Sequence, residues 1–104
     1  MSDNSKKQML PSLLKELREK CHLPQKEVAS ALGIDITTYC KIEKGKYPPN
    51  KDQVEKLAIL FHTGRDELVK VWLADKLIVL AQKDEIVAAE AIKLADSRLN
   101  EKSK

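Results

Sequence analysis

At 104 residues the chain has room for one compact domain with an extension, and its few glycines (3), prolines (4) and aromatics (4%) favour helices over a β-branched sheet. Its formal charge of +3 is too mild to mark a polyanion binder by itself, but nine Lys/Arg against six Asp/Glu lie in residues 1–50 and ten of each in 51–104, so any polyanion should meet the first half. No apolar run approaches the roughly 20 residues needed to span a bilayer, and the polar start MSDNSKKQ lacks the apolar core of a signal peptide, so a cytoplasmic protein is expected.

Leu10, Leu13, Leu14, Leu17 and Cys21 recur at three- and four-residue steps and predict a helix from about Pro11 to His22, with Pro11 suited to its first turn. Pro24 opens a second, short helix whose inward side is Val28, Ala29 and Leu32, and Gly33 ends it as a residue that takes positive φ freely. A third helix, about Ile36 to Lys44, is capped by Asp35 and closed by Gly45, with Tyr39 and Ile42 inward and Cys40 outward. Tyr47-Pro48-Pro49 reads as extended loop. Asn50 with Gln53 three residues later forms a capping box for a fourth helix carrying Val54, Leu57, Ala58 and Phe61. Thr63-Gly64 breaks the chain, and a long fifth helix follows through the apolar VWLADKLIVLA to Gln82. Asp84 caps a sixth, with a stripe of Ile86, Ala89, Ile92, Ala95 and Leu99, and the terminal NEKSK is expected to fray.

Two short helices joined by a glycine turn, the second one polar and flanked by lysines, meet the physical requirement for laying a helix in a DNA major groove. Arg18, PQKEVASALGI and TTYCKIEKGKYPP together resemble the Cro/C1-type (XRE) helix-turn-helix domain of bacterial and phage regulators, over about Leu13 to Leu73. The resemblance implies an all-α, lambda-repressor-like five-helix DNA-binding bundle, here with a C-terminal helical extension. The DNA-binding domain is accordingly expected at 10–73, leaving 74–104 as a C-terminal extension whose apolar surface predicts dimerisation.

By that resemblance helix three is the recognition helix and double-stranded DNA the partner. Gln25 matches the family's glutamine that meets the DNA backbone and braces the recognition helix, having both donor and acceptor to do so. Asp35, Ile36, Thr37, Thr38 and Lys41 hold the positions that reach base edges. Lysine can donate to guanine N7 and O6, the threonine hydroxyl can meet several base edges, and Ile36 can pack on a thymine methyl, while Asp35 serves better as a cap. Lys44 and Lys46, with Lys26 and Lys51, stand where phosphates pass and set affinity rather than sequence preference. Arg18 and Glu43 match the family's structural ion pair between helix one and the end of helix three.

The chain departs from the family pattern at Ile36, in place of a polar base reader, at Tyr39, in place of a small aliphatic residue, and at Thr63-Gly64 before helix five. The operator sequence is therefore not transferable. Apolar residues between Val71 and Leu99 exceed what one terminal helix needs, which predicts a homodimer formed through Trp72, Leu73, Leu77, Ile78 and Leu80 with Ile86, Ile92 and Leu99. Cys21 and Cys40 allow one disulfide at most and are expected to stay reduced. No catalytic triad, metal-ligand spacing or cofactor motif occurs, so no enzyme, metal, cofactor, membrane or small-molecule ligand is expected. Two other roles remain open: an antitoxin or restriction-modification controller of the same fold, and a protein-interaction adaptor without DNA contact.

Overall fold

The computed structural model describes residues 8–102 as six helices: α1 (Leu10–Lys20), α2 (Gln25–Leu32), α3 (Ile36–Glu43), α4 (Lys51–Leu60), α5 (Arg65–Ala81) and α6 (Glu85–Lys102). No strand occurs among the described residues, which bears out the all-α expectation. The six elements fall where the periodicity puts them, with shifts at their ends. The first begins one residue earlier than expected and stops at Lys20 rather than His22; the third stops at Glu43, with Lys44 as its cap. The fraying expected of NEKSK is not seen at Asn100 to Lys102, which continue α6, where Asn100 Nδ2 donates to Asp96 Oδ2 at 3.2 Å. The Ser103-Lys104 part of that expectation, like the polar start before Gln8, lies outside the described residues.

Helix ends explain the shifts. α1 through α4 all close with the same pair of backbone bonds, in which the N–H following the left-handed residue returns to the last turn, as in Leu23 N–H to the Arg18 carbonyl (3.2 Å) and Lys46 N–H to the Lys41 carbonyl (2.9 Å). The motif needs one residue in the left-handed region. Gly33 (φ 73°) and Gly45 (φ 76°) supply it after α2 and α3, as glycine does cheaply, whereas His22 (φ 58°) and His62 (φ 56°) supply it after α1 and α4. A histidine there gives no warning in sequence, so α1 reads two residues too long.

The core is built by the first five helices around Leu14, Val28, Tyr39, Ile42, Val54, Leu57 and Leu68, each less than 2% exposed. Every such aliphatic side chain contributes about 1.5–3 kcal/mol by leaving water. Val71 and Trp72 pack against this cluster from outside, and Trp72 Nε1 donates to the Pro49 carbonyl at 2.7 Å, fastening the α3–α4 loop to α5. Asn50 and Gln53 form the reciprocal capping box that their spacing predicts. α6 folds back on α5, and from Glu85 to Glu101 every residue except the half-buried Ala88 is exposed. This projecting hairpin raises the radius of gyration to 15.4 Å, where a compact domain of this size measures about 13 Å.

Asp75 is a buried charge, 8% exposed. Met9 at the head of α1 has no capping side chain; instead the Met9 and Leu10 N–H groups donate to the two Asp75 carboxylate oxygens, at 2.8 and 2.7 Å. A carboxylate on α5 thus caps α1 across 66 residues of sequence and sits favourably at the positive end of its dipole. Asp75→Ala strands two N–H groups and is expected to cost about 3 kcal/mol, taking about 1.5 kcal/mol per charge-assisted bond. Urea denaturation of the variant checks this, and a loss within error of zero would mean that water replaces the carboxylate.

Candidate nucleic-acid interface

α2 and α3 are joined at Gly33, whose left-handed backbone returns the Ile34 N–H to the Ala29 carbonyl (3.0 Å) and turns the chain across α2. Asp35 then starts α3, its Oδ1 accepting the Thr38 N–H at 2.8 Å. That bond, first, holds the Asp35 carboxyl below the usual carboxylate range. The same bond makes Asp35 the cap of α3.

The outward side of α3 carries Thr37, Lys41 and Lys44 at i, i+4 and i+7, which puts them in one row along the helix, all exposed. Ile36 stands beside the row at the first turn, 44% exposed. Thr38 is half-buried on the other flank. Lys46 follows Gly45 into the loop, Lys51 opens α4, and Lys26 lies in the first turn of α2; all three are exposed.

Behind this row lies a buried cluster centred on Glu43, whose side chain is 4% exposed. Its Oε2 accepts from Arg18 Nε (2.6 Å) and from the Tyr39 hydroxyl (2.6 Å); its Oε1 accepts from Gln25 Nε2 (3.0 Å) and Arg18 Nη2 (3.2 Å). Arg18 also donates to the Leu23 carbonyl at 2.9 Å, so one guanidinium joins α1, the α1–α2 turn and the end of α3. Burial by itself pushes the Glu43 carboxyl up, but the bonds from Arg18, Tyr39 and Gln25 outweigh it and hold the group below the usual carboxylate range. Burial, then the bond to Glu43, pushes the Tyr39 phenol far up, so it remains a neutral donor.

The Arg18–Glu43 pair therefore sits between the elements that the motif spacing named. Gln25 lies against α3, with its Nε2 on Glu43 and its Oε1 accepting the Cys40 thiol at 3.2 Å, an arrangement that braces α3. Cys40 is accordingly half-buried rather than outward as its spacing suggests, because α2 crosses α3 and the Gln25 side chain covers that flank. Sequence reasoning also missed the Tyr39 hydroxyl. A tyrosine replaces a small aliphatic residue because its ring fills the core while its hydroxyl reaches the carboxylate one turn ahead, and a Tyr four residues before a Glu was the available signal.

The described residues contain no His/Cys/Asp/Glu group able to hold a metal ion, and no helix among them is long and apolar enough to cross a membrane.

A helix-turn-helix family model matches residues 14–68. The chain is 39% identical over 61 residues to the cryptic phage CTXphi transcriptional repressor RstR of Vibrio cholerae, a match covering 59% of this chain and 55% of that one. It is 40% identical over 53 residues to the ImmF control region 10 kDa protein of Bacillus phage phi105 (51% and 59%) and 33% identical over 55 residues to an uncharacterized HTH-type transcriptional regulator of Archaeoglobus fulgidus (53% and 78%). The chain thus spans somewhat over half the length of the first two relatives. No solved structure matches it.

Proposed function

This chain belongs to the helix-turn-helix family, and from that premise we propose that it is a cytoplasmic DNA-binding transcriptional regulator, a repressor that reads a pseudo-palindromic operator as a homodimer. One observation carries this reading: the exposed Thr37, Lys41 and Lys44 row on α3, fixed from behind by the buried Arg18, Glu43, Tyr39 and Gln25 cluster. A helix held at a set angle with polar and basic side chains outward is what groove reading requires. The names of the relatives, one a repressor and one a control-region protein, favour repression. It acts by binding, through occlusion of the promoter, and not by catalysis.

In this assignment Thr37, Lys41 and Ile36 read bases, with Thr38 at the edge of the contact. Lys26, Lys44, Lys46 and Lys51 hold phosphates, and Gln25 and Asp35 orient the helix and its first turn. Residues 10–73 bind DNA and 74–104 dimerise. The dimer reading is supported by Leu73, Leu77 and Leu80 on α5, which are 50%, 49% and 62% exposed in a row facing away from the core.

Selection of bound sequences from a random duplex pool tests the proposal. A two-fold-related site with half-sites one helical turn (about 34 Å) or a multiple of it apart is expected. No enrichment from folded protein would shift the assignment to a protein-interaction adaptor.

A further inference from the structure

An open groove of about 440 Å3 runs beside the recognition unit, walled on one side by Leu10 and Pro11 of α1 and by Pro48-Pro49, and on the other by Trp72, Val79 and Leu80 of α5. Its lining is mainly apolar, and Lys76 and Lys83 stand along it. Lys76 Nζ lies 4.8 Å from the centre of the Trp72 ring. Ile42 and Gly45, from the end of the recognition helix, reach the groove as well.

The same chain carries a helix that fits it. α6 displays Val87, Ala91 and Leu94 at i, i+4 and i+7, all exposed, with Val87 at 48% and Leu94 at 61%. Glu90, an exposed acid about 60° round the helix from Val87, is opposite in sign to Lys76 and Lys83. α6 cannot enter its own groove. It leans on the Leu77, Ile78 and Ala81 side of α5 through Ala88 and Ile92, and at 100° per residue that side lies roughly opposite Trp72, Val79 and Lys83. The short Lys83-Asp84 connection keeps it there.

We propose that the groove beside Trp72 receives the Val87, Ala91 and Leu94 face of α6 from a second copy of this chain, and that the exchange is reciprocal. The proposal rests on the homodimer reading above and specifies its contact. Leu80 belongs both to the groove and to the exposed α5 row, so the two apolar surfaces are continuous. A half-open trough suits the side of an amphipathic helix. The inserted helix then packs against the loop that follows the recognition helix, which links dimerisation to the setting of Lys44 and Lys46.

The chain has one tryptophan, and it lies in the groove, so its fluorescence reports occupancy. The 104-residue chain is followed by light scattering and by acrylamide quenching of Trp72 across a concentration series. The expected result is a dimer whose formation blue-shifts Trp72 and lowers its quenching, with both changes lost in the Val87→Glu, Leu94→Glu double variant, whose altered positions are exposed and leave the core intact. A dimer whose Trp72 is quenched as readily as that of the double variant overturns the groove and leaves the homodimer standing. A variant that still dimerises with Trp72 protected overturns α6 as the occupant. A wild type monomeric throughout the series overturns both.

Discussion

Glu43→Ala should lower the unfolding free energy by about 3–5 kcal/mol, since it leaves a buried Arg18 without its counter-charge. The Arg18 side chain is 12% exposed and makes two of its three side-chain bonds to Glu43, while the Tyr39 hydroxyl and Gln25 Nε2 lose their acceptor with it. Small domains are stable by about 5–15 kcal/mol in total, so the variant should be partly unfolded at 37 °C or close to it. Glu43→Gln separates charge from shape, keeping one acceptor oxygen but turning an NH2 toward groups that are themselves donors. The pH dependence has a definite sign. Because the folded protein holds the Glu43 carboxyl below its ordinary value, its stabilisation is fully present above the ordinary carboxylate range and disappears as pH falls through the folded-state value. The stability gap between wild type and Glu43→Gln, measured by urea denaturation, should therefore be largest at neutral pH and shrink in acid. A gap independent of pH would show that Glu43 acts by packing alone.

Lys41→Ala should cost about 1–3 kcal/mol in operator binding, about five- to 150-fold, and should relax base preference at the position it faces. Thr37→Ala should add to it at a neighbouring position, as the two residues lie one turn apart in the same exposed row. Lys44→Ala and Lys46→Ala should behave differently. As phosphate contacts they should weaken selected and random duplexes alike, and each should lower the slope of log affinity against log salt by about one. All four side chains are exposed, so thermal stability should stay within about 0.5 kcal/mol of wild type and the DNA effects can be read directly. Fluorescence anisotropy over a salt series distinguishes the two classes. Equal loss on operator and random DNA for Lys41→Ala would remove it from base reading.

The Asp75 cap bears on both results, since α1 carries Arg18 and its position depends on the α5 carboxylate that holds its first turn. Glu43, Arg18 and Asp75 join α1 to α3 and to α5, so a weakened Asp75 variant should also bind DNA less well without any altered contact.

The sequence alone determined the helical class, all six elements, the Asp35 and Asn50 caps and the Gly33 and Gly45 stops, because each depends on groups within a few residues of one another. It also placed Thr37, Lys41 and Lys44 in one exposed row along the third helix, since periodicity along one helix is a local property. Tertiary structure decided the rest. The half-buried Cys40 thiol, the Trp72 bond to Pro49 and the Asp75 cap of α1 all pair groups from different elements that helix packing brings together, whereas the Tyr39 bond to Glu43 lies within α3 and its spacing was legible. Asp75 shows the reason most clearly. Along its own helix it is a charge in an apolar stretch, and only the approach of the α1 amino end, 66 residues away in sequence, makes burying that charge favourable.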